Sequence, residues 1–381
     1  MSKILIIAAE ASSVQYAEQL LKYWSDRRVD YSYFGIGSRR MESMGFQCLG
    51  YAEDMAVMGF SEVIKHYSNI KKVYNNILKE IEKQKPDLAL LLDYPGFNLR
   101  MSKELFQRQI PVIYYISPQI WAWKKNRVYT VKSYVTKMLV VFPFEVEFYQ
   151  KYDVPVEYVG HPLLDDLKDD YNNAELIKQK LGRLGVSSKH KILGLMPGSR
   201  KQEIERHLKI QLGVAEEICK IHSNVKVLLL IAPTLSKEFI TSQLGDLNLP
   251  IILIQDSPFN MISLVDAVLV ASGTATLMVG LLEKPMVIMY KVSWVSAFIG
   301  RRLIKGFFGL VNLLSHREIV PERFQEKANI QELTPLVERS LFDDNYCDNV
   351  RLELRDLKNQ LGEKGVTQRV ASIIEKFVKK T

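Results

Sequence analysis

Cysteine is scarce in this chain, and the three that occur (Cys48, Cys219 and Cys347) have neither metal-ligand nor disulfide spacing. That excludes a disulfide-stapled secreted scaffold and a thiolate zinc site, and points to a reducing compartment. No apolar run approaches the roughly 18–20 residues needed to cross a bilayer. The run after Met1-Ser2-Lys3, Ile4 to Ala9, is too short for a signal peptide and reads as a first strand. None of the six histidines is paired at ligand spacing. There is no internal repeat, no low-complexity tract, and no zinc-finger spacing, RNP-like motif or basic arm, so nucleic acid is not the expected partner. What remains is a soluble globular composition, 47% hydrophobic and 25% charged, with a net charge of +8. A positive balance of that kind suits an anionic membrane surface or phosphorylated substrates.

At 381 residues the chain exceeds one ordinary core, and two domains are expected. Runs rich in Val, Ile and Leu alternate with helical patterns throughout. They read as strands at Ile4–Ala9, Tyr31–Ile36, Leu88–Leu92, Val112–Ile116, Met138–Phe142 and Glu157–Val159. A second set reads as Ile192–Met196, Val225–Ile231, Ile251–Ile254, Ala267–Ala271 and Met286–Tyr290. Near-continuous apolar strands separated by helices imply parallel sheets covered on both faces. Two sets imply an α/β fold of two doubly wound, Rossmann-like domains facing a cleft. The expected division is 1–165, 166–340 and a tail of helices over 341–381, with the polar stretch Asp165 to Lys189 as the boundary. The tail either stays with the second domain or packs back on the first.

Several stretches carry chemistry. Strand Ile192–Met196 breaks at Pro197-Gly198, after which Ser199 and Gln202 fit a capping box opening a helix. Such a turn either leaves backbone N–H groups free for a phosphate, helped by the Arg200 fork, or is an ordinary strand–turn–helix joint. A second turn of the same kind, Ala271-Ser272-Gly273-Thr274-Ala275-Thr276, favours the first reading: a diphosphate held between helix N-termini. Leu88–Leu92 ends in Asp93, followed by Tyr94-Pro95-Gly96-Phe97-Asn98. A carboxylate there acts as a general base or caps the next turn. The first turn, Glu10-Ala11-Ser12-Ser13, lacks glycine and is a poor phosphate site. In Ser117-Pro118-Gln119-Ile120-Trp121-Ala122-Trp123, paired tryptophans beside Lys124, Lys125 and Arg127 suit sugar stacking or a lipid interface, or else fill a core. The Met-rich run Met55 to Phe60, leading into a helix with Lys65, Lys71 and Lys72, meets an anionic membrane or an acyl chain, or is core. The acidic group Asp165, Asp166, Asp169 and Asp170 reads as a solvated face, and no metal site is expected.

Taken together, these residues resemble lipid-A-disaccharide synthases, glycosyltransferases of the two-Rossmann-domain (GT-B) type. The motifs that carry the resemblance run almost the full length. They are Met55-Ala56-Val57-Met58-Gly59-Phe60-Ser61-Glu62-Val63, Asp93 to Asn98, Ser117 to Trp123 and Phe142-Pro143-Phe144-Glu145. They continue through Val159-Gly160-His161-Pro162-Leu163, Pro197 to Arg200 with Glu203, Ile204 and Arg206, and Ala271 to Leu277. The last are Asn312-Leu313-Leu314 with Arg317, Glu318, Val320, Pro321 and Gln325. The resemblance implies transfer from UDP-2,3-diacylglucosamine to 2,3-diacylglucosamine 1-phosphate, giving the β-1,6 disaccharide and UDP with inversion and no cofactor. It implies Asp93 as base for the acceptor 6-hydroxyl, with Arg200 and the Ser272–Thr274 turn on the UDP diphosphate. Glu10, Ser12, Asn98, Ser117, Gln119, Trp121, Gly198, Ser199, Ala275, Asn312 and Gln325 complete the expected substrate contacts. Acylated substrates imply a cytoplasmic protein on the inner face of the membrane without spanning it; a homodimer stays open. The chain departs from the family at Ala9, Ser13 and Val14 in the first turn, and at Met278, where a ribose-binding Glu is usual. Those departures leave two alternatives beside the synthase: a non-catalytic paralogue that binds a nucleotide sugar or acyl sugar, and a related UDP-sugar transferase or epimerase.

Overall fold

The structure, a computed structural model, describes residues 2–55, 60–121, 125–245, 249–292 and 306–378, with the backbone alone for 60–67. The chain divides into two compact units: Met1–Asp165 with Leu361–Thr381, and Asp166–Gln360. Much of the Met-rich run, and Ala122, Trp123 and Lys124 of the tryptophan motif, lie outside the described residues.

The first unit is built on seven parallel strands. These are β1 (Ser2–Ala8), β2 (Tyr31–Gly37), β3 (Phe46–Tyr51), β4 (Leu88–Leu92), β5 (Val112–Tyr115), β6 (Lys137–Val140) and β7 (Val156–Tyr158), in the order β3-β2-β1-β4-β5-β6-β7. The second has six: β8 (Lys191–Met196), β9 (Val225–Leu230), β10 (Ile251–Ile254), β11 (Ala267–Ala271), β12 (Met286–Tyr290) and β13 (Glu322–Phe324), ordered β10-β9-β8-β11-β12-β13. The central strands are buried on both faces: Leu88 to Leu92 and Leu269 to Val270 are almost wholly inaccessible. This explains why they read as unbroken apolar runs. In each sheet the winding reverses between the two strands that start its halves, β1 and β4 in one, β8 and β11 in the other. Ala8 pairs with Leu92 and Met196 with Val270 at those junctions. Ligands of doubly wound sheets bind beyond the carboxyl ends of the strands at such reversals.

Two strands escaped the sequence pattern. β3 and β13 sit at sheet edges, where one flank needs no apolar cover, and Gln47, Cys48, Glu322 and Arg323 break any hydrophobic run. The tail divides. Helices Ile330–Phe342 and Asp344–Gln360 stay in the second unit, whereas Val366–Val378 belongs to the first. That last helix buries Val366, Val370, Ala371, Ile373, Ile374 and Val378 and packs on helix Ala11–Asp26. Its N-terminus is capped by Asp165 rather than by a residue of its own. One carboxylate oxygen accepts from the Gly365 and Val366 N–H groups (2.6 and 3.0 Å), the other from the Thr367 N–H and hydroxyl (2.8 and 2.7 Å). Asp165 is therefore a cap, not part of a solvated acidic face. No helix among the described residues is long and apolar enough to cross a membrane.

Candidate active site

Asp93 follows the last residue of β4, and both Asp93 and Tyr94 adopt left-handed backbone (φ 47° and 46°). Two consecutive non-glycine residues in that region cost on the order of 1–3 kcal/mol each. The neighbours hold them there. Asn98 donates from its amide to the carbonyls of Leu92 (3.1 Å) and Asp93 (2.7 Å), and the Tyr114 hydroxyl donates to the Asp93 carbonyl at 2.5 Å. Asn98 is thus a buried brace for the turn, and Tyr114 a second one that no sequence motif marked. Glu10 follows β1, the strand beside β4, and N-caps helix Ala11–Asp26. Burial pushes the Asp93 carboxyl up to about 7, the Glu10 charge adds to the rise, and a bond from the Tyr94 N–H opposes it. A carboxyl poised near neutrality can accept a proton from a substrate hydroxyl and release it readily.

Around this pair, Ser12 is half-buried on the first turn. Ser13 accepts from the Glu10 N–H at 3.0 Å and donates to its carbonyl at 2.8 Å. Val14 is buried. The loop after β5 carries Ser117, Gln119 and Trp121. Ser117 is buried and shares a 2.7 Å hydrogen bond with the Tyr149 hydroxyl, Gln119 is exposed, and Trp121 is half-buried.

In the second unit the turn after β8 differs from the expected capping box by one residue. The N-cap is Arg200 and the helix runs Lys201–Ile221. Glu203, not Gln202, reaches back and accepts the Ser199 N–H at 2.8 Å. The same carboxylate accepts from Arg200 (3.4 Å) and from the Tyr290 hydroxyl (3.2 Å) at the end of β12. The Arg200 guanidinium, a third exposed, is thereby aimed by a nearly buried acid. Gly198 is obligatory. Its φ is 136°, and a Cβ would stand 2.5 Å from Glu203. Beneath lies His207, wholly buried, whose Nδ1 donates to the Pro197 carbonyl (2.7 Å) while Nε2 accepts the Lys291 N–H (3.0 Å). That pattern fits a neutral ring, and burial lowers its pKa.

The turn after β11 is open. Gly273 (φ 147°) caps helix Thr274–Leu281, and a Cβ there would meet nothing. The N–H groups of Gly273, Thr274 and Ala275 have no hydrogen-bond partner among the described residues. This is the arrangement that attracts phosphate oxygens. Ser272 donates to the Phe308 carbonyl at 2.9 Å. Met278, half-buried, lies one turn along the same helix.

Asn312 and Gln325 are buried and face inward. Asn312 accepts from the Ile319 and Val320 N–H groups and donates to the Val320 carbonyl and to Glu322. Gln325 clasps the backbone of Val292 at 3.1 and 3.3 Å. Sequence reasoning placed them on substrate; it gave no role to Glu203, His207, Tyr290 or Tyr114. Of these only Glu203 had a signal, its spacing of three from Arg200.

Comparison with known proteins is consistent across the chain. Residues 4–377 match the family model for lipid-A-disaccharide synthetase (LpxB). The lipid-A-disaccharide synthase of Myxococcus xanthus is 35% identical over 375 residues, covering 98% of this chain and 97% of its own. Lipid-A-disaccharide synthase 1 of Legionella pneumophila is 36% identical over 365 residues, 94% of this chain and 93% of its own. In fold, the chain resembles the UDP-GlcNAc 2-epimerase of Neisseria meningitidis bound to UDP-GlcNAc, at TM-score 0.63 and 12% identity over 99% of this chain and 100% of that one. It equally resembles the calicheamicin glycosyltransferase CalG4, at TM-score 0.62 and 13% identity over 100% and 99%. Matched over nearly its whole length by sequence, and by two parallel sheets in fold, the chain belongs to the lipid-A-disaccharide synthase family, glycosyltransferase enzymes of GT-B fold.

Proposed function

We propose that the protein joins UDP-2,3-diacylglucosamine to 2,3-diacylglucosamine 1-phosphate, forming the β-1,6-linked lipid A disaccharide and UDP in one inverting displacement. Asp93 takes the proton of the acceptor 6-hydroxyl, and that oxygen attacks the donor's anomeric carbon. The bond from that carbon to the UDP oxygen breaks, and its electron pair leaves with the diphosphate. Arg200 and the N–H groups of Gly273, Thr274 and Ala275 stabilise the charge that develops there. Glu10, Ser12, Ser117, Gln119 and Trp121 serve the acceptor; Gly198, Ser199 and Ser272 shape the donor turns. Asn98, Asn312 and Gln325 act through the backbone they hold. No metal or cofactor is required, because the protein supplies both the base and the positive field. The acyl chains keep both substrates in the inner face of a membrane, and a net charge of +8 draws the protein to that anionic surface.

The observation that carries this reading is the raised carboxyl of Asp93 at the reversal point of its sheet, in a chain of this family. The test is to incubate the purified protein with both acylated substrates and measure disaccharide and UDP, beside Asp93→Asn. Wild type is expected to form product and the variant to lose about 100- to 10,000-fold, the usual worth of a general base. Wild type that makes no disaccharide, yet is stabilised thermally by UDP, would establish the nucleotide-sugar-binding paralogue instead.

A further inference from the structure

Glu145 is wholly buried, and three N–H donors converge on its carboxylate. One oxygen accepts from the backbone of Val141 (3.3 Å) and Phe142 (3.1 Å), where the chain turns out of β6; the other accepts from the Trp121 indole N–H at 3.2 Å. A buried carboxylate is expensive, and here burial pushes its carboxyl up to about 7 even with these donors in place. Two backbone N–H groups at a helix start could be met by a neutral cap. The third donor is what sets this site apart, since it ties the helix Pro143–Gln150 to a tryptophan on a different loop.

That tryptophan is placed for contact with a ligand. It follows β5, which lies beside β4, with Leu92 paired to Tyr115, so its loop leaves the same carboxyl end of the sheet as Asp93. Its indole meets Phe144 edge-to-face at 4.7 Å and 82°, and its N–H is held by Glu145. An indole fixed at these two points has little rotational freedom left, yet Trp121 remains half-buried rather than enclosed. Aromatic rings of this kind present a flat apolar surface to the C–H face of a pyranose.

We propose that Glu145 is a positioning residue, acting through the Trp121 indole N–H to set that ring as the stacking platform for the glucosamine ring of the acceptor. The inference rests on the synthase reading above and deepens it by assigning the acceptor's sugar face. The test compares Michaelis constants for acceptor and donor in wild type, Glu145→Gln, Trp121→Phe and the double variant. The glutamine substitution would turn an amide N–H₂ toward the converging donors, whereas phenylalanine keeps an aromatic ring and deletes the N–H. Each single variant is expected to raise the acceptor KM about tenfold and leave the donor KM unchanged. The double variant is expected to match Trp121→Phe alone, because without the indole N–H Glu145 has nothing left to position. An unmoved acceptor KM, an equal rise in donor KM, or two effects that multiply would overturn the proposal. Should Glu145→Gln fail to fold, Trp121→Phe carries the test, since it breaks the same bond from the other end. Inactive wild type refutes the synthase reading; active wild type with unmoved acceptor KM refutes only this one.

Discussion

Changing Glu10 to Gln removes one negative charge from the strand edge beside Asp93 while keeping the side chain's size. Asp93 titrates near 7 because it is buried and because Glu10 adds like-charge repulsion, with a single Tyr94 N–H bond opposing both. With the base half ionised at pH 7, about a tenth is ionised at pH 6 and about a hundredth at pH 5, so kcat/KM should fall about tenfold per pH unit on the acid side. Without the Glu10 charge the acid limb moves down, and each unit of movement raises the rate at pH 5 by about tenfold. The movement has a floor. Burial is the largest cause and outweighs the opposing hydrogen bond, so the limb stays above the ordinary carboxyl value of 3.8. The assay is disaccharide release at subsaturating substrate from pH 5 to 9, read for the position of the limb rather than its height. Glu145 also lies near 7 and is the control. A limb that ignores Glu10→Gln but follows Glu145→Gln would refute the assignment of the base to Asp93.

Asp93→Asn should alter stability in a pH-dependent way. The folded-state pKa lies above the unfolded one, so the native state holds its proton longer, and stability is lost as pH rises from about 4 to about 7. Asparagine never ionises and tolerates left-handed backbone, so the variant should melt above wild type at pH 8 but not at pH 4, as scanning fluorimetry would report. Arg200→Ala should lower kcat/KM by about two orders of magnitude at constant fold, and an unchanged rate would remove it from the mechanism. Met278→Glu should tighten UDP binding about tenfold or more in calorimetry, the worth of a charged hydrogen bond to ribose; no change would mean the ribose sits elsewhere. Gly198→Ala should lower both Tm and kcat/KM, since its Cβ would displace the carboxylate that aims Arg200; wild-type values for both would show that Glu203 does not aim it.

The fold was legible where the apolar runs are unbroken. Leu88–Leu92, Ile251–Ile254, Ala267–Ala271 and Met286–Tyr290 form strands at the bounds their apolar runs suggest. Edge strands β3 and β13 were not, because Gln47, Cys48, Glu322 and Arg323 interrupt any apolar run there. At the candidate site, what could be read was where the turns fall: both glycine turns and Asp93 follow strands at sheet reversals. What could not be read was how polar side chains are used. Ser199 looks like a cap, yet the cap position falls on Arg200 because Glu203 is long enough to reach back past it. Asn312 and Gln325 look like ligand contacts, yet each is engaged by backbone from neighbouring segments, and only the tertiary fold brings those segments together. The raised carboxyl of Asp93 likewise depends on Glu10, 83 positions earlier in the chain.

The Asp165 cap has a consequence for biogenesis. Its partners lie 200 to 202 residues downstream, and the helix they begin covers apolar surface of the segment synthesised first. An emerging chain therefore cannot finish its first folding unit until the second has left the ribosome, so the usual order of N-terminal completion is reversed. Until the final helix arrives, the surface of Ala11–Asp26 that it will cover stands open. Nascent chains stalled short of residue 361 should accordingly be the species that chaperones hold and proteases find.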